Sequence, residues 1–357
     1  MIPIVDLKRQ YKQTGEEIEK AVVDVLRSGA YILGPNTKAL EQEFSQYLGT
    51  KHAIGLNSGT DALHLALRAL DIGKGDEVIT VAFTFVATTE SIEIVGATPV
   101  FVDIDPDTFN MDVTQIEDKI TPRTKAIMPV HLYGQPADMD VIMDIAKRHN
   151  LYVIEDCCQA VGAEYKGKKV GSFGDIGAYS FFPTKNLGGM GDGGMAVTNS
   201  DFLKDRMIAL RNHGGAVRYH HDEIGVNSRL DEIQSAILRV KMNYIDEWNK
   251  MRREVAHRYT ELFKDCEDVI TPKELDETYC VYHQYTIKVP NRDAVQKMLQ
   301  ENGVGAMLYY PIPLHMQKVH AHLGYKMGDL PKTEYNTQHV MGLPMFAELT
   351  AEEQKEI

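Results

Sequence analysis

Two hydrophobic periods alternate along residues 1–230. Short apolar runs such as Glu77–Val81 and Thr98–Val102 are rich in β-branched residues, which is typical of buried strands. Between such runs lie segments with apolar residues at helical spacing, for example Asp138–His149. Strands and helices that alternate with short connections predict an α/β fold, with a mostly parallel sheet flanked by helices.

The element bounds follow from these periods and from the turn residues between them. Strands are predicted at Ala53–Leu56, Glu77–Val81, Thr98–Val102, Ala126–Val130, Tyr152–Glu155, Ala178–Phe182, Met195–Thr198 and Tyr285–Val289. Helices are predicted at Glu16–Arg27, Leu40–Leu48, Asp61–Leu70, Ala87–Val95, Asp138–His149 and Arg292–Asn302. All strands but the last lie before residue 230, so we expect one large sheet domain there.

The pattern changes after residue 230. Asp231–Phe263 is a long helical stretch, either one connector or two consecutive helices, and a second α+β pattern follows it. We therefore expect a large domain over 1–230, connecting helices over 231–264 and a smaller C-terminal α+β domain over 265–357. Thr350 and Glu353 form a capping box for one more helix, but the sequence ends one turn later, which suggests a longer natural chain.

Composition narrows the class of protein. A hydrophobic content of 43% and a charged content of 25% are those of a globular protein, and neither a membrane-spanning run nor a signal peptide is seen. The adjacent cysteines Cys157 and Cys158 lack metal-ligand spacing, so we expect reduced thiols, no metal and a cytoplasmic location.

The charge of the chain is uneven. A net charge of −13 argues against nucleic-acid binding, which needs a broad basic surface. An anionic substrate would have to meet a local basic cluster. One candidate cluster comprises Arg211, His213, Arg218, His220, His221 and Arg229.

One lysine stands in an unusual setting. Lys185 follows the apolar run that ends at Ser180 and precedes the glycine-rich segment Gly188–Gly194. An amine held in a half-buried turn has a lowered pKa and becomes a usable nucleophile. For an isolated lysine, however, an ordinary flexible surface loop is the commoner explanation.

A carboxylate earlier in the chain favours a functional lysine over an ordinary surface one. Asp156 ends the apolar run Tyr152–Glu155, and the carboxyl ends of buried strands are where open α/β sheets bind ligands. A lysine and an aspartate in one crevice suit pyridoxal phosphate, which needs an amine for its aldehyde and an anion for its ring nitrogen.

Three weaker signals accompany this pair. Gly59 and Thr60 lie at a strand-to-helix turn, where backbone amides favour an anion, and Ser180 could add a hydroxyl to the same phosphate. Phe85 precedes a helix and could stack on a flat ring. Each is more often a plain cap, strand end or core residue; their order and spacing together carry the weight.

With these motifs the chain resembles the nucleotide-sugar aminotransferases of the DegT/DnrJ/StrS family, which have the aspartate-aminotransferase fold. The likeness runs from Tyr31–Pro35 to Leu308–Gln317. It implies that Lys185 carries pyridoxal 5'-phosphate and moves the proton, and that Asp156 pairs with the ring nitrogen. The family's dehydratase branch has histidine at the position of Lys185, so transamination is implied here.

The resemblance also implies roles for further residues. Gln159 would lie beside the ring near its hydroxyl, Gly59, Thr60 and Ser180 would bind the phosphate, and Phe85 would stack on the ring. Asn227 would reach the phosphate of the neighbouring subunit's cofactor, which implies a homodimer with shared active sites. The remaining candidate substrate-binding residues are Arg229, Tyr309, Tyr310 and His315.

The implied reaction is transfer of an amino group from L-glutamate to a keto-hexose bound to a nucleoside diphosphate. The likeness is greatest to members that act at the third carbon, although many members have histidine where Tyr309 stands. Amination at the fourth carbon, or of a cyclitol, stays open. A regulatory relative without turnover is a further alternative, which the complete residue set disfavours.

Overall fold

A twisted sheet of seven strands forms the centre of the molecule in the computed structural model, which describes residues 1–215, 217 and 219–357. The strands of the chain are β1 (His52–Leu56), β2 (Glu77–Val81), β3 (Thr98–Val102), β4 (Thr124–Ile127), β5 (Tyr152–Asp156), β6 (Glu164–Tyr165), β7 (Lys168–Lys169), β8 (Ile176–Ser180), β9 (Gly194–Thr198), β10 (Thr278–Tyr279), β11 (Tyr285–Lys288) and β12 (Val340–Leu343). The large sheet has the order β1-β9-β8-β5-β4-β2-β3, and β9 alone runs antiparallel to its neighbours. The prediction of a mostly parallel sheet is confirmed.

Neighbouring residues along each strand pack into two different hydrophobic cores. Ile79, Val153 and Val197 belong to one buried cluster, whereas Ile154 and Ala196 belong to another. This is the period of two that places neighbouring side chains on opposite faces of a sheet. Because both faces are covered, the central strands are apolar throughout and read as unbroken hydrophobic runs.

Helices cover both faces. The α-helices are α1 (Leu7–Ser28), α2 (Pro35–Leu48), α3 (Gly59–Ala69), α4 (Ala87–Ile94), α5 (Met139–His149), α6 (Asp201–Arg211), α7 (Glu232–Met242), α8 (Ile245–Phe263), α9 (Arg292–Glu301), α10 (Pro331–His339) and α11 (Ala351–Glu356). Leu40 and Phe44 of α2 pack in the first core, and Leu63 and Leu67 of α3 pack in the second. The sheet is therefore sandwiched between two helical layers.

The first two helices begin earlier than predicted. α1 starts at Leu7 because the Asp6 side chain caps it, accepting from the amides of Lys8 and Arg9 at 3.0 and 3.3 Å. α2 starts at Pro35, whose fixed φ suits a first helical position. Both first turns are mainly polar, so the apolar periodicity alone does not reveal them.

The C-terminal part has its own core. The predicted stretch 231–263 divides into α7 and α8, and α8 supplies Val255 and Tyr259 to a cluster with Tyr285 of β11 and Met341 of β12. The N-terminal residue Ile2 joins the same cluster, so the chain start packs on its end. The predicted domain bounds stay a prediction. Within the described residues, no helix is long and apolar enough to span a membrane.

Candidate active site

Several strand ends converge on one cavity. β1, β5 and β8 run in the same direction, so the turn after Leu56, the residue Asp156 and the residue Ser180 meet at one edge of the sheet. There they line a cavity of about 400 Å³, with Lys185 in its wall. The sequence prediction that Lys185 and Asp156 share one crevice agrees with this geometry.

Lys185 sits in a tight turn beside the strand end. Its backbone amide donates to the carbonyl of Phe182 at 2.9 Å, which closes the turn after β8. Burial lowers the pKa of the Lys185 amine, while the acidic groups of Cys158 and Asp156 oppose that shift. The amine is thus easier to deprotonate than that of an exposed lysine, as a nucleophile requires.

Asp156 is fixed by its neighbours. Only 5% of the residue is exposed, its Oδ2 accepts from the Thr88 hydroxyl at 2.8 Å, and its Oδ1 accepts from the Cys158 amide at 3.2 Å. The Thr84 hydroxyl lies 3.0 Å from that of Thr88. Donors on both oxygens hold the carboxyl group at the cavity wall.

The N-terminus of α3 forms one end of the cavity. Ser58 caps the helix, its hydroxyl accepting from the Asp61 amide at 3.1 Å. Gly59 is packed so closely that a Cβ there would lie 2.7 Å from the Cβ of Ser180 and 2.8 Å from Sγ of Cys158. Gly59 and Thr60, in the first turn of α3, line the cavity beside Ser180, and a helix N-terminus at this place suits an anion such as phosphate.

Gln159 links three parts of the wall. Its Oε1 accepts from the Tyr133 amide at 2.8 Å, and its Nε2 donates to the Tyr310 hydroxyl at 3.1 Å. The Tyr133 hydroxyl donates in turn to the carbonyl of Tyr309. Phe85 is 54% exposed at the cavity, with its ring centroid 6.2 Å from that of Tyr310.

Three predicted residues do not reach this cavity. Asn227 is exposed and pairs with Asn212 in a short bridge, and Arg229 is half-buried in a separate surface hollow. His315 is buried, with its Nε2 3.0 Å from Oε1 of Glu334. The chain segments that hold these residues pack elsewhere in the monomer, so motif order alone does not give their positions.

The predicted basic cluster is smaller than expected. Arg211 is buried, and its Nη1 donates to Glu41 at 2.6 Å and to the carbonyl of Gly55 at 2.9 Å. The prediction that it helps to bind an anionic substrate is therefore wrong, since its charge is already paired. Arg218 lies outside the described residues. His213, His221 and Arg229 do line one hollow.

A second polar cluster lies behind the cavity. The ligand atoms of His131, Glu155 and Cys157 are within 4.8 Å of one another, as in a metal site. However, Nδ1 of His131 accepts from the Ala137 amide at 3.0 Å, and Nε2 lies 3.1 Å from Glu155. Glu155 also accepts from three further amides, those of Gly171, Phe173 and Gly174. Hydrogen bonds within the protein thus already use both ring nitrogens of His131 and the Glu155 carboxyl group.

Four residues that line the cavity or support its wall were not identified from the sequence. Thr88, Tyr133, His283 and Gln284 all contribute to the site or hold its members. Thr88 could have been noticed as a polar residue in a helix that starts at the carboxyl edge of the sheet. His283 and Gln284 come from the C-terminal part, and no motif in the chain connects them with Lys185.

Comparisons with known proteins agree with this geometry. The sequence profile of the DegT/DnrJ/EryC1/StrS aminotransferase family matches residues 12–357. A pleiotropic regulatory protein of Geobacillus stearothermophilus is 52% identical over 99% of this chain and 96% of its own length. The UDP-N-acetyl-3-dehydro-alpha-D-glucosamine 3-aminotransferase of Acidithiobacillus ferrooxidans is 49% identical, over 99% of this chain and 95% of its own.

A solved structure has the same fold as this chain. The crystal structure of Streptomyces venezuelae DesV in complex with a ketimine intermediate has a TM-score of 0.97 and 40% identity, over 99% of this chain and 95% of that one. The chain therefore belongs to the DegT/DnrJ/EryC1/StrS aminotransferase family and is a pyridoxal-phosphate-dependent aminotransferase.

Proposed function

We propose that the protein transfers the amino group of L-glutamate to the third carbon of a keto-hexose linked to a nucleoside diphosphate. The observation that carries the proposal is the meeting of Lys185, Asp156 and the N-terminus of α3 in one cavity. The Acidithiobacillus relative, 49% identical, is named for an amino transfer at the third carbon of a UDP-sugar. The product would be an amino sugar for a polysaccharide, another glycan or an antibiotic.

The cavity residues fit pyridoxal phosphate. The α3 amides, with the hydroxyls of Thr60 and Ser180, would hold its phosphate. A side chain at position 59 would collide with Ser180 and Cys158, so glycine is required there. Phe85 would cover the ring, and Gln159 would lie near the ring hydroxyl. When bound, the cofactor supplies an electron sink that stabilises negative charge at the carbon next to the migrating nitrogen.

Lys185 and Asp156 would divide the proton chemistry. Lys185 would carry the cofactor, be released as a free amine and then move a proton as base and acid. Asp156 would keep a proton on the ring nitrogen. An ion pair at about 4 Å and an intermediate dielectric is worth roughly 4 kcal/mol, which corresponds to about a thousandfold in rate.

We further propose a homodimer in which each site is completed by the other subunit. Phe85 and Phe182 line the cavity but are 54% and 50% exposed, so the cavity mouth is an apolar surface of the monomer. Asn227 and Arg229 lie outside the cavity of their own chain, as residues that serve a neighbour's cavity would.

The proposed substrate contacts follow from the charges. Lys185 is the sole lysine or arginine among the described residues that line the cavity. A sugar nucleotide carries a diphosphate, which needs cationic donors, and we propose Arg229 of the second subunit as one of them. Tyr309 and Tyr310 would contact the sugar, whereas the buried hydrogen bond between His315 and Glu334 supports a structural contribution from that residue.

Arg229→Ala tests this assignment. The exchange should raise the KM for the keto-sugar nucleotide at least tenfold, while the glutamate half-reaction changes by less than about threefold. Stopped-flow absorbance would follow the two half-reactions separately. Equal effects on both halves would remove Arg229 from the acceptor site.

A screen of acceptors tests the function as a whole. The protein with glutamate would be offered 3-keto and 4-keto sugar nucleotides, a keto-cyclitol and simple keto acids, and products would be identified by mass spectrometry. We expect amination of a 3-keto sugar nucleotide. Preference for a 4-keto sugar or cyclitol would establish the first alternative. Equal use of simple keto acids would replace the proposal with a general amino-acid aminotransferase.

A regulatory role is the second candidate, because the 52% identical relative is named a regulatory protein. The test is whether glutamate converts the yellow cofactor-bound protein to its amine form. Absence of conversion would favour regulation. We place the activity in the cytoplasm as part of the proposal, which the four free cysteines support.

A further inference from the structure

Two hydrogen-bond donors meet in the wall of the cavity. Gln159 and Tyr310 both line it, and Nε2 of Gln159 lies 3.1 Å from the Tyr310 hydroxyl. A glutamine amide group carries two donor hydrogens and a tyrosine hydroxyl carries one. The direction of the bond between these two side chains therefore decides which hydrogens remain for a ligand.

The backbone amide of Tyr133 fixes that direction. A backbone N–H can only donate, and this one lies 2.8 Å from the end of the Gln159 side chain. The atom that accepts from it must be the oxygen Oε1, so the other atom is the nitrogen Nε2, which donates to Tyr310. Because the Tyr310 oxygen accepts this bond, the hydroxyl hydrogen of Tyr310 is not used in it.

Two donor hydrogens are thus left over. Among the described residues, neither the second hydrogen on Nε2 of Gln159 nor the hydroxyl hydrogen of Tyr310 has an acceptor. Only 6% of Gln159 is exposed, and a buried donor without an acceptor costs on the order of 1–3 kcal/mol. Burial raises the pKa of the Tyr310 hydroxyl, which therefore stays protonated at physiological pH. An oxygen atom of a ligand is the partner that suits both donors.

Tyr133 holds both donors from behind. Its amide binds Gln159, and its hydroxyl donates to the carbonyl of Tyr309, the residue directly before Tyr310. The φ of Tyr133 is 58°, in the left-handed region that is costly for a residue with a side chain. Backbone strain of this kind persists where the surroundings fix the position of a functional group. The two donors are therefore kept side by side at one place in the wall.

We propose that Tyr310 joins Gln159 in a two-donor clamp on the oxygen at carbon 3 of the pyridoxal-phosphate ring. The inference rests on the proposed place of the cofactor, with its ring nitrogen at Asp156. A ring that is protonated at this nitrogen is ionised at that oxygen, and hydrogen bonds to a charged oxygen are stronger than those to a neutral one. The clamp therefore favours the same charge state of the ring as Asp156 does. Tyr310 thus contacts the cofactor in addition to the sugar, and no proton is transferred.

The test is a binding measurement that needs neither turnover nor a bond to lysine. Isothermal titration calorimetry on the full-length protein, stripped of cofactor, would give the Kd of pyridoxamine 5'-phosphate and of its 3-deoxy analogue. Both ligands carry an amine in place of the aldehyde, so neither can bond to Lys185. The analogue lacks only the ring oxygen, so the ratio of the two Kd values reports the contacts with that oxygen.

Tyr310→Phe removes the hydroxyl alone. The Kd of pyridoxamine 5'-phosphate should rise on the order of tenfold, whereas that of the analogue should stay within about twofold. The same exchange in a Gln159→Leu background separates a direct contact from an effect through Gln159, and it should still cost about fivefold for pyridoxamine 5'-phosphate alone. Tyr335→Phe removes the hydroxyl of an exposed tyrosine on α10 and is the control that should change neither Kd.

An equal loss for both ligands in Tyr310→Phe, or no loss for either, would overturn the inference. It would also be overturned if the exchange had no effect in the Gln159→Leu background, because Tyr310 would then act only through Gln159. Tyr310→Met lacks the hydroxyl as well and gives the same answer if the phenylalanine variant does not fold. Failure of the proposed function would be seen separately, as absence of amine transfer to any keto sugar while the preference for the ring oxygen is intact.

Discussion

At the scale of single residues, the chemical reactivity of Lys185 depends on the groups that enclose its amine. The amine is enclosed by the cavity wall, and this burial lowers its pKa, so that the neutral form is accessible nearer to physiological pH than for an exposed lysine. The same enclosure places it beside Asp156 and the α3 N-terminus. A nucleophile, an anion and an anion-binding helix end thus share one space.

The first prediction concerns this lysine. Lys185→Ala should fold but lose the visible absorbance of lysine-bound cofactor and stop multiple turnover, because no amine is left to carry the cofactor. Borohydride reduction of the parent followed by peptide mapping should place the label on Lys185. Lys166→Ala removes an exposed lysine paired with Asp140 and serves as the control that should keep full activity.

The second prediction concerns Asp156 and its donor. Asp156→Ala should slow the single-turnover reaction with glutamate on the order of a thousandfold, since the ring nitrogen loses its anionic partner. Thr88→Val removes one hydrogen bond to Asp156 and should cost about tenfold. Rapid-scanning absorbance gives both rates. A loss below tenfold in Asp156→Ala would exclude it as the ring-nitrogen partner.

At the scale of elements, the glycine-rich segment depends on the helix beneath it. Nζ of Lys241, near the end of α7, donates to the carbonyl of Gly188 at 2.7 Å. The Gln234 side chain accepts from the Met190 amide at 2.8 Å. The loop after Lys185 is therefore held by side chains of α7, because its glycines have no side chains with which to hold it.

A stability prediction follows for Lys241. Burial lowers its pKa from 10.5 to about 8, so between these values the unfolded chain binds a proton that the folded protein does not. Stability therefore rises with pH across this window. In Lys241→Met the rise is absent, and the free energy of unfolding of the parent relative to the variant should grow by about 3 kcal/mol between pH 7 and pH 10.5.

Urea unfolding of both proteins across this range measures the difference, because other groups titrate equally in the two. Lys250→Met, at an exposed position of α8, is the control, and its difference from the parent should be flat with pH. A flat difference for Lys241→Met would show that its ammonium is not disfavoured in the fold.

At the scale of the whole molecule, the monomer leaves its cavity with exposed aromatic residues at the mouth and leaves Asn227 and Arg229 in another place. The fourth prediction is that inactive Lys185→Ala and Asn227→Ala proteins regain activity when their subunits are exchanged. One of the two sites in each hybrid would have both residues intact, so up to about a quarter of the parental activity is expected from random pairing of equal amounts.

Sedimentation measured alongside gives the state of assembly. A double variant mixed with inactive Lys185→Ala subunits has no intact site in any pairing and should show no recovery. A fully active monomer, or recovery in that control, would contradict the shared site.

The sequence by itself determined most of the fold and the chemical centre. Strand and helix periods depend on local burial, so β2 and β3 were predicted to the residue, and the two connecting helices fell within the predicted stretch. Lys185 and Asp156 could be paired because both follow strands whose ends must meet at one edge of a parallel sheet. The capping box at Thr350 and Glu353 is likewise local, and it is confirmed.

Tertiary structure alone decided which distant groups complete the site. Thr88 and His283 line the cavity, and Tyr133 supports its wall through Gln159, because elements far apart in the chain pack together, which no local period encodes. From the sequence, Arg211 is expected to be a free cation. In the fold it pairs with Glu41, which lies 170 residues away in the chain. Charge and hydrogen bonding depend on such partners, whereas hydrophobic period depends on near neighbours, and this is the physical reason for the division.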